Sequence, residues 1–125
     1  MAKARILLVE DEPDLAETTK IMLEMGGYEV IVAANGMDGL SKIESEKPDV
    51  AILDISLPEM NGFDICRKIK CNKHYRHIPV IMFSFKFQPN DITFAKALGA
   101  DEYITKSAEP EILIRKIEEL LKRKP

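Results

Sequence analysis

The chain has 125 residues, 46% hydrophobic and 31% charged, with a formal net charge of -3. That length fits one domain able to bury a hydrophobic core without disulfides or a structural metal, and the mild charge argues against a dedicated nucleic-acid binder, a local basic patch aside. No apolar run approaches the ~20 residues of a membrane span, MAKARILLVEDE lacks a signal-peptide pattern, and Cys66 and Cys71 are too few for a disulfide scaffold; the cytoplasm is the expected compartment.

Short apolar runs alternate with amphipathic stretches, and no repeat or low-complexity linker interrupts them. Ile6–Val9 reads as the first strand. A helix follows from Pro13, a residue suited to the first helical position because its missing N–H would be unpaired there. It ends at Gly26-Gly27, where a left-handed cap is cheap. Within it, Met22, Leu23 and Met25 read as core or local packing. The second strand is Val30–Val32, followed by a helix with Met37, Leu40 and Ile43 spaced by three. The third strand is Val50–Leu53, and the helix after Asn61 carries Phe63, Cys66 and Ile69. Val80–Phe83 is the fourth strand, and the helix after Asn90-Asp91 carries Ile92, Ala95 and Leu98 and stops at Gly99. Tyr103-Ile104 is a short fifth strand, and the last helix has Pro110 near its start and Leu113, Ile117, Leu120 and Leu121 on one face.

The first four strands are continuously apolar, as expected for strands covered on both faces of a parallel sheet. Parallel neighbours need right-handed crossovers. Five βα units are too few for an eight-stranded barrel. The expected fold is therefore α/β, a doubly wound, flavodoxin-like (βα)5 domain with a parallel sheet of order 2-1-3-4-5. In such sheets the ligand site lies beyond the carboxyl ends of the strands.

Glu10, Asp11 and Glu12 follow the first strand, Asp54 the third and Ser84 the fourth, and Lys106 lies just after the fifth. Singly, each has an ordinary structural role: the acids before Pro13 can cap a helix, Asp54 can cap a turn, Ser84 can end a strand, and Lys106 can be solvated. Jointly they converge on one crevice. Crowded carboxylates repel and raise one another's pKa. A hard divalent cation such as Mg²⁺, which takes carboxylate, phosphate and water oxygens, relieves that repulsion. A carboxylate can also act as a nucleophile toward phosphorus, with metal and lysine offsetting charge on the phosphoryl oxygens.

The segments ILLVEDEPDL, AILDISLPEMNGFDICRKI and GADEYITK resemble the motifs of bacterial response-regulator receiver domains, in order and in spacing, from about Arg5 to Leu121. The resemblance implies one receiver domain over residues 1–125 (core about 5–122), with no output domain in this chain; a stand-alone regulator and a domain of a longer protein both remain open. It implies that Asp54 accepts a phosphoryl group from a sensor histidine kinase or histidine phosphotransfer protein. Asp11 and Asp54 would bind Mg²⁺ directly, Glu10 through water, and the Ser56 backbone carbonyl would be a further ligand. Lys106 would pair with the phosphoryl group, and Ser84 and Tyr103 would switch with it. The signal would reach an output protein or domain at the face of the fourth helix, fifth strand and fifth helix, in a monomer or weak dimer. Direct contact with nucleic acid or membrane is not expected.

Two positions depart from the family pattern. Phe85 follows Ser84 where most relatives have a small residue; it either narrows the approach to Asp54 or packs away with Phe87. Ser107 stands where a proline, often cis, usually follows the lysine. A cis bond before a non-proline residue costs ~2.5–4 kcal/mol, so a trans Lys106-Ser107 bond is expected.

The weaker signals are Cys71, His74 and His77, whose spacing fits no standard zinc set, and the basic Arg67–Arg76 stretch around Tyr75, read as a solvated face. Phe85 and Phe87, flanking Lys86, leave a partner surface open. A phosphorylation-independent interaction module is the alternative function. An aspartate-nucleophile phosphohydrolase fits poorly, because Ser56 stands where that class usually has a second aspartate. No glycine-rich nucleotide loop is present.

Overall fold

Alternate side chains of a strand point to opposite faces, so a continuous apolar run needs cover on both. The computed structural model, which describes residues 3–123, supplies it. The strands are β1 (Arg5–Val9), β2 (Glu29–Ala33), β3 (Val50–Leu53), β4 (Val80–Ser84) and β5 (Glu102–Thr105). The helices are α1 (Pro13–Met25), α2 (Gly36–Glu46), α3 (Gly62–Lys70), α4 (Pro89–Ala97) and α5 (Pro110–Lys122). All strand pairs are parallel, in the order β2-β1-β3-β4-β5. This is the expected doubly wound sheet. Residues 1–2 and 124–125, the ends of the expected domain, lie outside the described residues.

The faces divide as the pleat requires. Ile6 and Leu8 of β1 join Ile52, Ile81, Ile104 and the α1 and α5 residues Leu23, Leu113, Ile117 and Leu120. Leu7 and Val9 join Leu53, Met82 and the residues Ile43, Ile65, Ile69 and Ala95 of α2, α3 and α4. Many of these side chains are fully buried, and each such Leu or Ile contributes roughly 1.5–3 kcal/mol over an exposed one.

Several expectations shift in detail. β3 keeps the expected bounds, and the other four strands extend a residue beyond the apolar runs, into Arg5, Glu29, Ala33, Ser84, Glu102 and Thr105. In α2, Ile43 is buried and Leu40 half-buried, but Met37 is 68% exposed, while Gly36 and Gly39 of the same turn are buried against Met60 and Val9. Met25 is likewise exposed, whereas Leu23 is core. Only the second residue of Gly26-Gly27 is left-handed, with Gly27 at φ 96° and Gly26 right-handed. Among the described residues every peptide bond is trans, including Lys106-Ser107 as expected.

Candidate functional site

Glu10 leaves β1 and Asp54 leaves β3, neighbouring strands whose residues Val9 and Leu53 are paired in register. The two carboxylates therefore emerge side by side. Both residues are buried, whereas Asp11 is exposed. One oxygen from each of Glu10, Asp11 and Asp54 lies within 4.8 Å of the others, the one such potential metal-holding group among the described residues. Cys71, His74 and His77 form no such group.

Lys106 completes the cluster from the loop after β5. Its Nζ donates to Asp54 Oδ2 at 3.0 Å and to Glu10 Oε1. The lysine side chain is only 7% exposed. The second oxygens are held by backbone: Asp54 Oδ1 accepts from Ser56 N–H at 3.1 Å, and Glu10 Oε2 from Glu12 N–H at 3.2 Å. Burial pushes the Glu10 carboxyl above its ordinary pKa, against the hydrogen bond and positive charge of Lys106. Glu12 turns the chain into α1, where its side chain accepts from Asp14 N–H at 3.0 Å.

Ser84 and Tyr103 stand across β4 and β5. Ser84 is buried at the end of β4, and its Oγ accepts from Lys86 N–H at 3.2 Å. Tyr103 is also buried, and its hydroxyl donates to the Lys86 carbonyl. Burial, with repulsion from Asp91 and Asp54, pushes the Tyr103 phenol up to about 12. Phe87 packs edge-on against Tyr103, at 5.6 Å between ring centres. Phe85 turns elsewhere and lies over Lys106, with Nζ 5.6 Å from its ring centre.

The structure thus brings together Glu10, Asp11, Asp54 and Lys106, with Ser84 and Tyr103 joined through Lys86. Two positioning residues were missed from sequence. Lys86 links the two switch candidates through its backbone, which no side-chain pattern encodes. Gly62 packs against the chain at Asp54: a Cβ there would stand 2.2 Å from the Asp54 carbonyl oxygen. Asn61 caps α3 reciprocally with Asp64, Oδ1 accepting from Asp64 N–H at 3.0 Å, and so drives Gly62 into that contact. The Asn61-Gly62 pair at a helix start, where alanine would favour helix, was the available signal.

A parallel β2-β1-β3-β4-β5 sheet whose strand ends gather three carboxylates, a lysine and a serine, with a tyrosine in the last strand, defines a receiver domain. The chain belongs to the response regulator receiver domain family, whose model matches residues 6–118. It is 39% identical to Protein PilH of Pseudomonas aeruginosa, over 94% of this chain and 98% of PilH. It is 34% identical to the alkaline phosphatase synthesis transcriptional regulatory protein PhoP of Bacillus subtilis, over 95% of this chain and 49% of PhoP. The chain thus spans about half the length of several of its curated relatives and nearly all of another. A CheY-like receiver domain from Methanospirillum hungatei superposes with a TM-score of 0.89 at 37% identity, covering 97% of this chain and 95% of that one. The chemotaxis protein CheY4 of Vibrio cholerae superposes at 0.89 and 29% identity, covering 95% and 99%. Receiver domains act as phosphoacceptor switches, bind Mg²⁺ at an acidic pocket and work with histidine kinases and output domains. No described helix is long and apolar enough to cross a membrane.

Proposed function

We propose that residues 1–125 form one receiver domain in which Asp54 accepts a phosphoryl group from a phosphohistidine of a sensor kinase or phosphotransfer protein. The observation that supports this best is the placement of Lys106 Nζ 3.0 Å from Asp54 Oδ2, beside the Glu10–Asp11–Asp54 group. The oxygen-only donor set fits a hard cation such as Mg²⁺. Asp11 and Asp54 would hold it directly, Glu10 through water, and the Ser56 carbonyl would add a ligand. When bound, Mg²⁺ supplies positive charge to the phosphoryl oxygens and relieves repulsion among the carboxylates.

A carboxylate oxygen of Asp54 attacks phosphorus, an O–P bond forms, and the P–N bond breaks with its electron pair leaving on the donor imidazole. Lys106 offsets charge on the transferred group from the side facing Glu10. The Ser56 N–H orients the attacking carboxylate. Phosphorylation adds about −1.5 to −2 charge, which draws the Ser84 hydroxyl from Lys86 toward the phosphoryl oxygens. Releasing that bond loosens the Lys86 backbone that holds Tyr103, so the change reaches the face of α4, β5 and α5, where an output protein or domain would dock. The domain works in the cytoplasm as a monomer or weak dimer and without direct contact to nucleic acid. It catalyses nothing beyond its own phosphoryl transfer and dephosphorylation.

The test is intact-mass measurement after incubation with acetyl phosphate and Mg²⁺, beside Asp54→Asn. A Mg²⁺-dependent gain of one phosphoryl group, absent in the variant, is expected. No gain from acetyl phosphate or from a phosphorylated histidine donor would sink the reading in favour of an interaction module that works without phosphate.

A further inference from the structure

Phe85 is large, apolar and 61% exposed, yet it borders a charged site. Its ring and that of Phe83 both face the same ammonium: Lys106 Nζ lies 5.6 Å from the Phe85 ring centre and 6.0 Å from that of Phe83. Both distances allow cation–π attraction. The Lys106 side chain is only 7% exposed, so the outer ring is in water and the lysine beneath it is not. Phe85 also borders a largely apolar cavity of about 180 Å³ between α1 and α5, lined by Leu15, Met22, Phe83, Ile104 and Leu113, with Lys106 in its wall. The ring therefore stands where that cleft meets the acidic crevice.

We infer that Phe85 is a positioning residue for Lys106. Its ring covers the outer side of Lys106, holds the ammonium against Glu10 and Asp54, and narrows the approach of water and small solutes to it. The shielding is a property of the folded chain. Its consequence for phosphoryl transfer rests on the reading of Asp54 as the acceptor, and two separate measurements address the two.

The first is acetylation of the folded, full-length chain by an N-hydroxysuccinimide ester, read lysine by lysine by peptide mass spectrometry. The exposed Lys47 and Lys96 are internal references. Loss of a contact of cation–π strength corresponds to a factor of about two to five in rate. Phe85→Ala is expected to raise the acetylation rate of Lys106 by that factor relative to both references, and Phe85→Tyr, which retains a ring, to leave it at the wild-type value. An unchanged Lys106 rate in Phe85→Ala overturns the inference. So does a rise shared by Lys47 and Lys96, which would report loosening of the whole fold.

The second is the rate of Asp54 phosphorylation by acetyl phosphate and of subsequent hydrolysis. Both are expected to increase in Phe85→Ala and not in Phe85→Tyr. Rates in Phe85→Ala that equal or fall below those of the parent overturn the role of the ring in closing the site. Failure of every form to take up phosphate, with the acetylation pattern as expected, would remove the acceptor reading and leave the shielding of Lys106 established.

Discussion

The hydroxyl of Tyr103 donates to the backbone carbonyl of Lys86, and the N–H of Lys86 donates to Ser84 Oγ at 3.2 Å. One loop residue thus holds a side chain from the last residue of β4 and another from within β5. Tyr103→Phe removes the first bond while keeping the ring against Phe87. We expect a stability loss of about 1 kcal/mol, since the exposed Lys86 can recover water partners, and faster amide exchange in residues 86–88. Exchange unchanged in that loop would show that the Tyr103 hydroxyl does not restrain it.

Lys106 is the cation between two buried carboxylates, and removing it leaves both without its charge. Lys106→Met is expected to lower stability by about 3 kcal/mol, the usual consequence of breaking a buried pair from one side. Mg²⁺ should restore part of the loss, and so should a second change, Asp54→Asn, because each reduces the uncompensated negative charge. Urea denaturation of the parent, the two single variants and the double variant, with and without Mg²⁺, measures this. A Lys106→Met variant as stable as the parent would mean that the carboxylates are better solvated than their burial implies.

Gly62 touches backbone, so its neighbour cannot swing aside as a flexible side chain would. A Cβ at 2.2 Å from the Asp54 carbonyl oxygen forces β3 and α3 apart. Gly62→Ala should cost about 1–3 kcal/mol, in the range of overpacked cores, despite the better helix propensity of alanine. Because the displaced atoms belong to Asp54, the phosphorylation rate should fall as well. Thermal denaturation and phosphoryl uptake of the variant test the two effects independently.

Alkali should destabilise the fold. Burial pushes the Cys66 thiol from 9.0 to about 11 and contributes most to the rise of the Tyr103 phenol from 10.0 to about 12. As pH rises the unfolded chain loses these protons first, so it binds fewer protons than the native chain and stability falls. The stabilisation is complete below pH 9. The Cys66 part is lost between pH 9 and about 11, and the Tyr103 part between pH 10 and about 12. Urea midpoints measured from pH 8 upward should decline over this window, and Tyr103→Phe should flatten the upper part. At pH 8 iodoacetamide should alkylate the exposed Cys71 and leave Cys66 intact until denaturant is added.

The sequence by itself determined the alternation of five strands and five helices. Each element is written in local contrasts: unbroken apolar runs such as Val50–Leu53, helix-starting prolines at positions 13 and 110, and a helix-stopping glycine at 99. It also placed Glu10, Asp11, Asp54, Ser84 and Lys106 at strand ends, because a side chain's position along a strand is a local property. Only the tertiary structure decided what those residues touch. Lys106 meets Glu10 across 96 residues of chain, and Tyr103 meets the Lys86 backbone across 17. The exposure of Met37, the approach of Gly62 to Asp54 and the turn of Phe85 toward Lys106 rather than Phe87 were likewise settled by packing. Hydrophobic period and capping act over a few residues, whereas ion pairing, close backbone contact and ring orientation depend on which elements the folded sheet brings side by side.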